Sequence, residues 1–173
     1  MIYFLYCNMK NKEIGVKKII KLFTCRWRFM FFSLWKLPMA FLANLKVSEL
    51  SFEGSSVTVP YNYLNKNPFK SLYFAVQAMA AELSTGTLVM LHSDGADISM
   101  LVIGFQSKYY KKATTKTKFI CLDGKKIELA IKNAIATGES QICDMHSKGY
   151  DVHGVCVSEF NIQWSLKKRQ SSL

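Results

Sequence analysis

"NKNPFKSLYFAVQAMAAELSTG", Asn65 to Gly86, is the stretch whose reading decides the fold. Asn67 followed by Pro68 is a helix start, because an Asn side chain accepts a backbone N–H of the first turn and proline is tolerated at the first helical position. The run beyond it is apolar nearly all round and closes on Gly86, a residue suited to a C-terminal cap. At about 100° per residue, Leu72, Val76, Met79 and Leu83 share one stripe, the one expected to face a sheet. A second stripe holds Ser71, Ala75, Ala78 and Glu82, small residues between a hydroxyl and an acid roughly 16 Å further along. It leaves room for a ligand, or for close approach of another helix or subunit. Lys70 and Gln77 share a third face, where they hold polar ligand atoms or meet solvent. Glu82 falls in the predicted last turn, where the helix dipole disfavours a negative charge, so its placement calls for a salt bridge, a hydrogen-bonding cluster or a ligand proton.

On the N-terminal side, "LKVSELSFEGSSVTVPYNYL" alternates apolar and polar residues around Glu53 and Gly54, the pattern of a β-hairpin. Before it, Ile20, Phe23, Trp27, Met30, Phe31 and Leu34 recur at helical spacing between Lys17, Lys18, Lys21, Arg26 and Arg28. This predicts one basic amphipathic helix from Val16 to Trp35, stopped by Pro38, which either packs on the body of the domain or lies on a membrane surface. On the C-terminal side, "TLVMLHSDGADISMLVIGFQSKYYKKA" and "TKTKFICLDG" are rich in strand formers. A second helix is predicted from Lys125 to Ala136, ending at Gly138, and then two strands about a turn near Gly149. The class is therefore α+β, an antiparallel sheet around a central helix with an extra N-terminal helix.

A chain of 173 residues, half of them hydrophobic, builds one domain with a real core. Residues 16–170 are assigned to it and 1–15 to a disordered or extension segment, with Met9 as an alternative start. The net charge of +11 suits a phosphate-bearing ligand, an anionic membrane or a nucleic acid. Five cysteines without a CxxC pair argue against a secreted disulfide framework, so a cytoplasmic location is expected. The first nine residues lack a basic n-region and a cleavage site, so no signal peptide is expected, and no uncharged apolar run reaches membrane-spanning length.

Cys143, His146, His153 and Cys156 have zinc-like spacing, but a hairpin turning between the histidines would point Cys143 and His146 to opposite faces. No metal site is expected, only a cross-strand His or Cys pair. There is no P-loop, GxGxxG or nucleophile elbow. The "KYYKK" patch could stack bases, yet no nucleic-acid-binding signature organises it, so no nucleic-acid partner is expected.

The block "VPYNYLNKNPFKSLYFAVQAMAAELSTG", with "KYYKKATTKTKFIC" and "SEFNIQWSLKKR", resembles the thioesterase-like group of the hotdog fold labelled DUF4442, within the acyl-CoA thioesterase superfamily. The resemblance spans residues 37–169, and NxNPFxSxYF…AAE is its most specific part. It implies a long helix wrapped by an antiparallel sheet, a homodimer or homotetramer with the site at the subunit junction, and hydrolysis of an acyl-CoA thioester. Coenzyme A would enter as part of the substrate, with no separate cofactor. A non-catalytic module binding acyl chains or lipid is the alternative. The family's helix N-terminus polarises the thioester carbonyl, which carries over to the N–H of Lys70 or Ser71. Its acid would then fall near Ala78 or Met79, and Glu82 lies one turn later. The resulting catalytic set is Glu82 as base with Asn65 and Ser71, and Asn67, Lys70, Gln77, Ala75, Ala78 and Lys66 line the substrate. Lys66, Lys70, Lys108, Lys111 and Lys112 are the candidates for the coenzyme A phosphates. No His stands at the helix entrance, which argues against the hotdog dehydratases, where a His and an acid work together.

Overall fold

The computed structural model describes residues 15–169, so the 1–14 part of the predicted extension lies outside the described residues. The chain runs through helix α1 (helical over 15–24), α2 (Arg26–Lys36), α3 (Pro38–Leu42), strands β1 (Lys46–Leu50) and β2 (Ser55–Val59), a 3-10 turn (Tyr63–Asn65) and α4 (Phe74–His92). Strands β3 (Ile98–Tyr109) and β4 (Thr117–Cys121), helix α5 (Gly124–Thr137) and strands β5 (Gln141–Tyr150) and β6 (Cys156–Lys168) complete it. The six strands form one antiparallel sheet in the order β1-β2-β4-β5-β6-β3. The class and the sheet around a central helix are as the pattern predicts.

The predicted N-terminal helix is broken. Cys25 separates α1 from α2, and Pro38 opens α3 at its first position, where its missing N–H costs nothing, while Leu37 ends α2. Phe23, Phe29 and Phe32 turn inward as an aromatic cluster with ring centroids 5.5 to 6.5 Å apart.

The central helix is also displaced from its predicted span. Asn67 spends its cap on a tight loop: its Oδ1 accepts from the N–H of Phe69 and Ser71 and from the Ser71 hydroxyl. Lys70 takes a left-handed conformation, φ 59°, which a helix cannot contain. The helix therefore begins six residues after its predicted first position, at Phe74, and runs past Gly86 to His92, absorbing the strand formers "TLVML". Thr87, Leu88, Val89 and Leu91 are buried, and the surrounding packing outweighs their intrinsic preference. Helix α4 is long and apolar enough to cross a membrane by composition, but 61% of that window is buried within the fold, the signature of a core helix.

Four buried polar links fix how α4 is rotated and seated. The Ser158 hydroxyl on β6 donates to Gln77 Oε1 (2.9 Å), Ser84 meets Ser147 on β5 (2.8 Å), Thr87 meets Ser55 on β2 (2.8 Å), and the Trp164 indole N–H on β6 donates to Thr85 Oγ1 (3.1 Å). Hydrogen bonds of this kind cost little when paired and much when broken, so they select one register from those that apolar packing alone would allow.

The second helix matches its prediction, and Gly138 supplies the left-handed cap at φ 72°. The last turn does not match. β5 runs through Gly149, and the reversal occurs at 151–155, where Asp151 Oδ1 accepts from the N–H of His153 and Val155 and Gly154 takes φ 76°.

Candidate functional site

One face of α4 escapes the sheet. Its partly exposed positions are Phe74, Ala75, Ala78, Met79, Glu82, Gly86 and Met90, which recur at helical spacing as a single stripe. Ala75, Ala78 and Glu82 belong to it as the sequence predicts, with Gly86 extending it in place of a cap. The helix packs on β2, β4 and β5 and touches β6, while β3 makes no comparable contact. Beyond the bulge between Val102 and Gly104, Phe105 and Tyr109 on β3 pack against the buried Phe160, tilted and edge-on, with centroids 5.6 and 5.7 Å from its ring. They leave an apolar surface beside the stripe.

Glu82 is the only acid in the helix. Among the described residues its carboxylate has neither a hydrogen bond nor an ion pair. Burial alone pushes its pKa above the ordinary carboxyl value of 4.5. A Cβ on Gly86 would lie 3.3 Å from Glu82 Oε1 and 3.5 Å from the Trp164 ring, so the carboxylate rests over the glycine and beside the indole. The predicted salt bridge is not formed. The dipole penalty is also removed, since Glu82 lies in mid-helix and not in the last turn.

The start of the helix is the second element of the site. The N–H of Lys70 donates to Asn67 O (3.1 Å) and that of Ser71 to Asn67 Oδ1 (3.1 Å), so neither is available to a ligand. The N–H of Val76 and Gln77 are bonded to Tyr73 O, but those of Phe74 and Ala75 have no partner among the described residues, and Tyr73 provides no side-chain cap. These are the orphan donors of the helix N-terminus. Counted from Phe74, the interval of eight residues that the resemblance places between oxyanion donor and acid ends on Glu82. Ala75 and Glu82 are seven residues apart, within about 20° of two full turns and roughly 10 Å along the axis. A side chain leaning toward the helix N-terminus shortens that distance.

The remaining predicted residues are distributed around these two elements. Ser71, Asn67 and Gln77 line a cavity of about 340 Å3 at the mouth of α4 with Phe74, Tyr109 and Lys111. Gln77 is buried with both ends of its amide engaged, Nε2 donating to Leu72 O (3.1 Å) and Oε1 accepting from Ser158; its place is the wall, not solvent. Asn65 is a structural pin. Its amide donates to Ala43 O and Pro60 O, both at 2.9 Å, and its backbone carbonyl accepts from Tyr73 N–H, so it lies behind the helix start and away from Glu82. Lys70 contributes its carbonyl to the Tyr61 hydroxyl (2.9 Å), and Lys66 lies over the Tyr61 ring at 4.9 Å. Lys112 Nζ reaches Phe69 O (3.4 Å) at the rim of the cavity, and Lys111 pairs with Asp151 (3.6 Å).

Cys143 is buried, His146 points outward beside Asp123, His153 lies in the 151–155 turn, and Cys156 opposes Tyr150. No group of three or more metal-ligating residues is gathered among the described residues. Sequence reasoning missed the N–H of Phe74 and Ala75 and the wall formed by Trp164. A signal for the first lay in Lys70, which stands where the resemblance has glycine, a residue of turns.

No family model and no curated protein matches the chain in sequence. In three dimensions it is similar to solved structures. A protein from Pseudomonas aeruginosa described as a probable thioesterase superimposes with a TM-score of 0.73 at 18% identity, covering 88% of this chain and 95% of that one. A protein of unknown function from Chlorobaculum tepidum gives 0.72 at 16% identity, covering 84% and 95%. A thioesterase from Haemophilus influenzae gives 0.59 at 12% identity, covering 79% and 87%. The chain therefore shares the α+β architecture of thioesterase-like hotdog-fold proteins.

Proposed function

We propose that this chain hydrolyses an acyl-CoA thioester at the uncovered face of α4, as a member of the DUF4442-type hotdog group. The observation that carries the proposal is the pairing of two free N–H donors, on Phe74 and Ala75, with a half-buried, unpaired carboxylate two turns along the same face. The donors hold the thioester carbonyl and stabilise the negative charge that develops on its oxygen. Glu82, its pKa raised by burial toward the operating range of a general base, takes a proton from water, whose oxygen attacks the carbonyl carbon. Collapse of the tetrahedral intermediate breaks the carbon–sulfur bond and returns the proton to sulfur, giving a carboxylic acid and free coenzyme A. The acyl chain lies on Ala75, Ala78 and Gly86, and the phosphates meet Lys111 and Lys112 at the cavity rim.

The active form is a homodimer pairing across β3. That strand is an edge of the sheet, and a 12-residue edge with uncovered Phe105 and Tyr109 beside the open stripe of α4 is a template for a second copy. Release of free thiol from a panel of acyl-CoAs tests the reading. Wild type turns over at least one member, and Glu82→Gln loses about 10²- to 10⁴-fold, the worth of a positioned general base. Unchanged turnover in that variant removes Glu82 from the mechanism. A folded wild type inert toward the whole panel favours an acyl-binding module without chemistry, and a monomer by sedimentation removes the pairing across β3.

A further inference from the structure

Helix α2 has two apolar faces, and only one of them is covered. Phe29 and Ser33 are buried against the body. On the opposite side Trp27, Phe31, Leu34 and Trp35 stand in solvent, exposed by 66%, 65%, 52% and 82%. The next helix also exposes Met39 and Leu42, by 62% and 55%. At about 200 Å2 for a large side chain, these six expose on the order of 700 Å2. The largest apolar patch of an ordinary monomer is about 300–600 Å2.

The charge around this surface selects its partner. At about 100° per residue the outward stripe of α2 is centred between Trp27 and Phe31; Arg28 flanks it on one side, and Arg26 lies about 120° round on the other, at the rim of the cavity lined by Phe29, Ser33 and Val47. Their guanidinium groups can reach past the aromatic rings while the rings point down. Lys36 closes the helix, Lys17, Lys18 and Lys21 are the basic residues of α1, and α1, α2 and α3 contain no acidic residue within the described span 15–42. Apolar aromatic residues below, cations at the flanks and no acid among them is the pattern of a helix lying in the interface of an anionic bilayer. A protein partner would need acidic groups placed opposite each cation, whereas phospholipid headgroups supply negative charge everywhere at the right depth.

The position in the fold keeps this surface apart from the reaction. α2 packs against β1, one edge of the sheet, and β3 is the other edge. A dimer formed across β3 would carry one such face on each copy.

We infer that α2 and α3 form a docking surface for anionic phospholipid membranes, with Trp27, Phe31, Trp35 and Met39 entering the interface and Arg26 and Arg28 holding the headgroups. The inference is independent of the hydrolytic reading and survives its failure.

The test is flotation of the full chain with vesicles of phosphatidylcholine alone and of phosphatidylcholine with about one third phosphatidylserine, at low and high salt. Two of the three tryptophans, Trp27 and Trp35, lie on the surface, and the third, Trp164, is buried, so a blue shift of emission on binding reports entry into the bilayer. Wild type is expected to float with the anionic vesicles at low salt, with at least a tenfold weaker association at high salt or with phosphatidylcholine alone. Arg26→Glu/Arg28→Glu and Phe31→Ser/Met39→Ser are each expected to lose tenfold or more, with unchanged thermal melts. No association of folded wild type with anionic vesicles overturns the inference. So does association that both double variants retain, which would place the contact elsewhere in the chain. A third overturning result is an oligomer dissociated by Phe31→Ser/Met39→Ser without vesicle binding by wild type, which would make the face an interface between copies.

Discussion

Replacing Thr85 by Val probes the wall against which Glu82 is held. The Trp164 indole is 6% exposed, and its N–H donates to Thr85 Oγ1 at 3.1 Å; the Thr85 hydroxyl itself donates to Glu82 O at 2.9 Å. Valine keeps the shape of threonine but cannot accept, so the indole N–H is left buried without a partner. A buried donor orphaned in this way costs about 1–3 kcal/mol. The lost donation to Glu82 O adds little, because that carbonyl remains within the helix ladder. For a domain of this size each kcal/mol lowers Tm by about 2–4 °C, so Thr85→Val should melt roughly 3–10 °C below wild type. The decisive control is the same substitution in a Trp164→Phe background, which has no N–H to orphan. There the change should cost less than about 0.5 kcal/mol, leaving a coupling of about 1–2 kcal/mol in a double-mutant cycle followed by urea unfolding. Thr85→Ser, which retains the acceptor, should recover most of the loss. Equal cost of Thr85→Val in both backgrounds would refute the argument that the hydrogen bond holds Trp164 in place.

Glu82→Gln should stabilise the protein at neutral pH. The folded carboxyl has a pKa above its unfolded value, so the native state holds the proton more tightly, and stability falls as pH rises from about 4.5 through the folded pKa; thermal melts of wild type and variant should converge near pH 4 and separate by pH 7.5. Lys70→Gly should raise stability by roughly 0.5–1 kcal/mol in urea unfolding, because glycine accepts φ 59° without the Cβ penalty of lysine. Burial pushes the thiol pKa of Cys121 to about 12 and that of Cys143 to about 11. At pH 8 both should resist a thiol reagent until the protein unfolds, and Cys121→Ser or Cys143→Ser should leave the rapidly reacting thiol count of the native chain unchanged. Gly86→Ala should gain up to about 1 kcal/mol of helix propensity while lowering thioester turnover, since the new methyl meets Glu82 Oε1 at 3.3 Å and moves the carboxylate.

The capped helix α5 was legible in the sequence; the break at Cys25 and the ends of the buried helix, both set by tertiary packing, were not. Helix α5 has a polar face, an apolar face and Gly138, so its ends fall within a residue of their prediction. Helix α4 is covered on most sides, and its boundaries carry no comparable signal. At its start the strongest cap residue, Asn67, serves a loop five residues long, while Tyr73 precedes the helix without capping it. At its end Gly86 has the composition of a stop but the surroundings of a core position, and "TLVML" has strand propensity that the surrounding sheet overrides. The site inherited the error. Glu82 and the small residues beside it were readable from spacing, while the N–H groups that complete the site depend on the first helical residue.

The uncovered stripe of α4 follows from how the sheet closes. Five strands, β1, β2, β4, β5 and β6, wrap a 19-residue helix, and β3, the sixth, stands beyond them as an open edge. Along the covered faces the polar groups of the helix are matched one by one, Gln77 to Ser158, Ser84 to Ser147, Thr85 to Trp164 and Thr87 to Ser55. Along the open face they are not: the N–H of Phe74 and Ala75 and the carboxylate of Glu82 have no partner among the described residues, although partnered positions lie one or two residues away. A helix that satisfies its buried polar groups so thoroughly would gain by replacing Glu82 with an apolar residue, unless the charge is used. The same holds for Gly86, which costs about 1 kcal/mol in mid-helix relative to alanine and gives the carboxylate its space. The two costs fall on one stripe, two turns from two free donors, and that coincidence is what supports the proposed hydrolytic site over a packing fault.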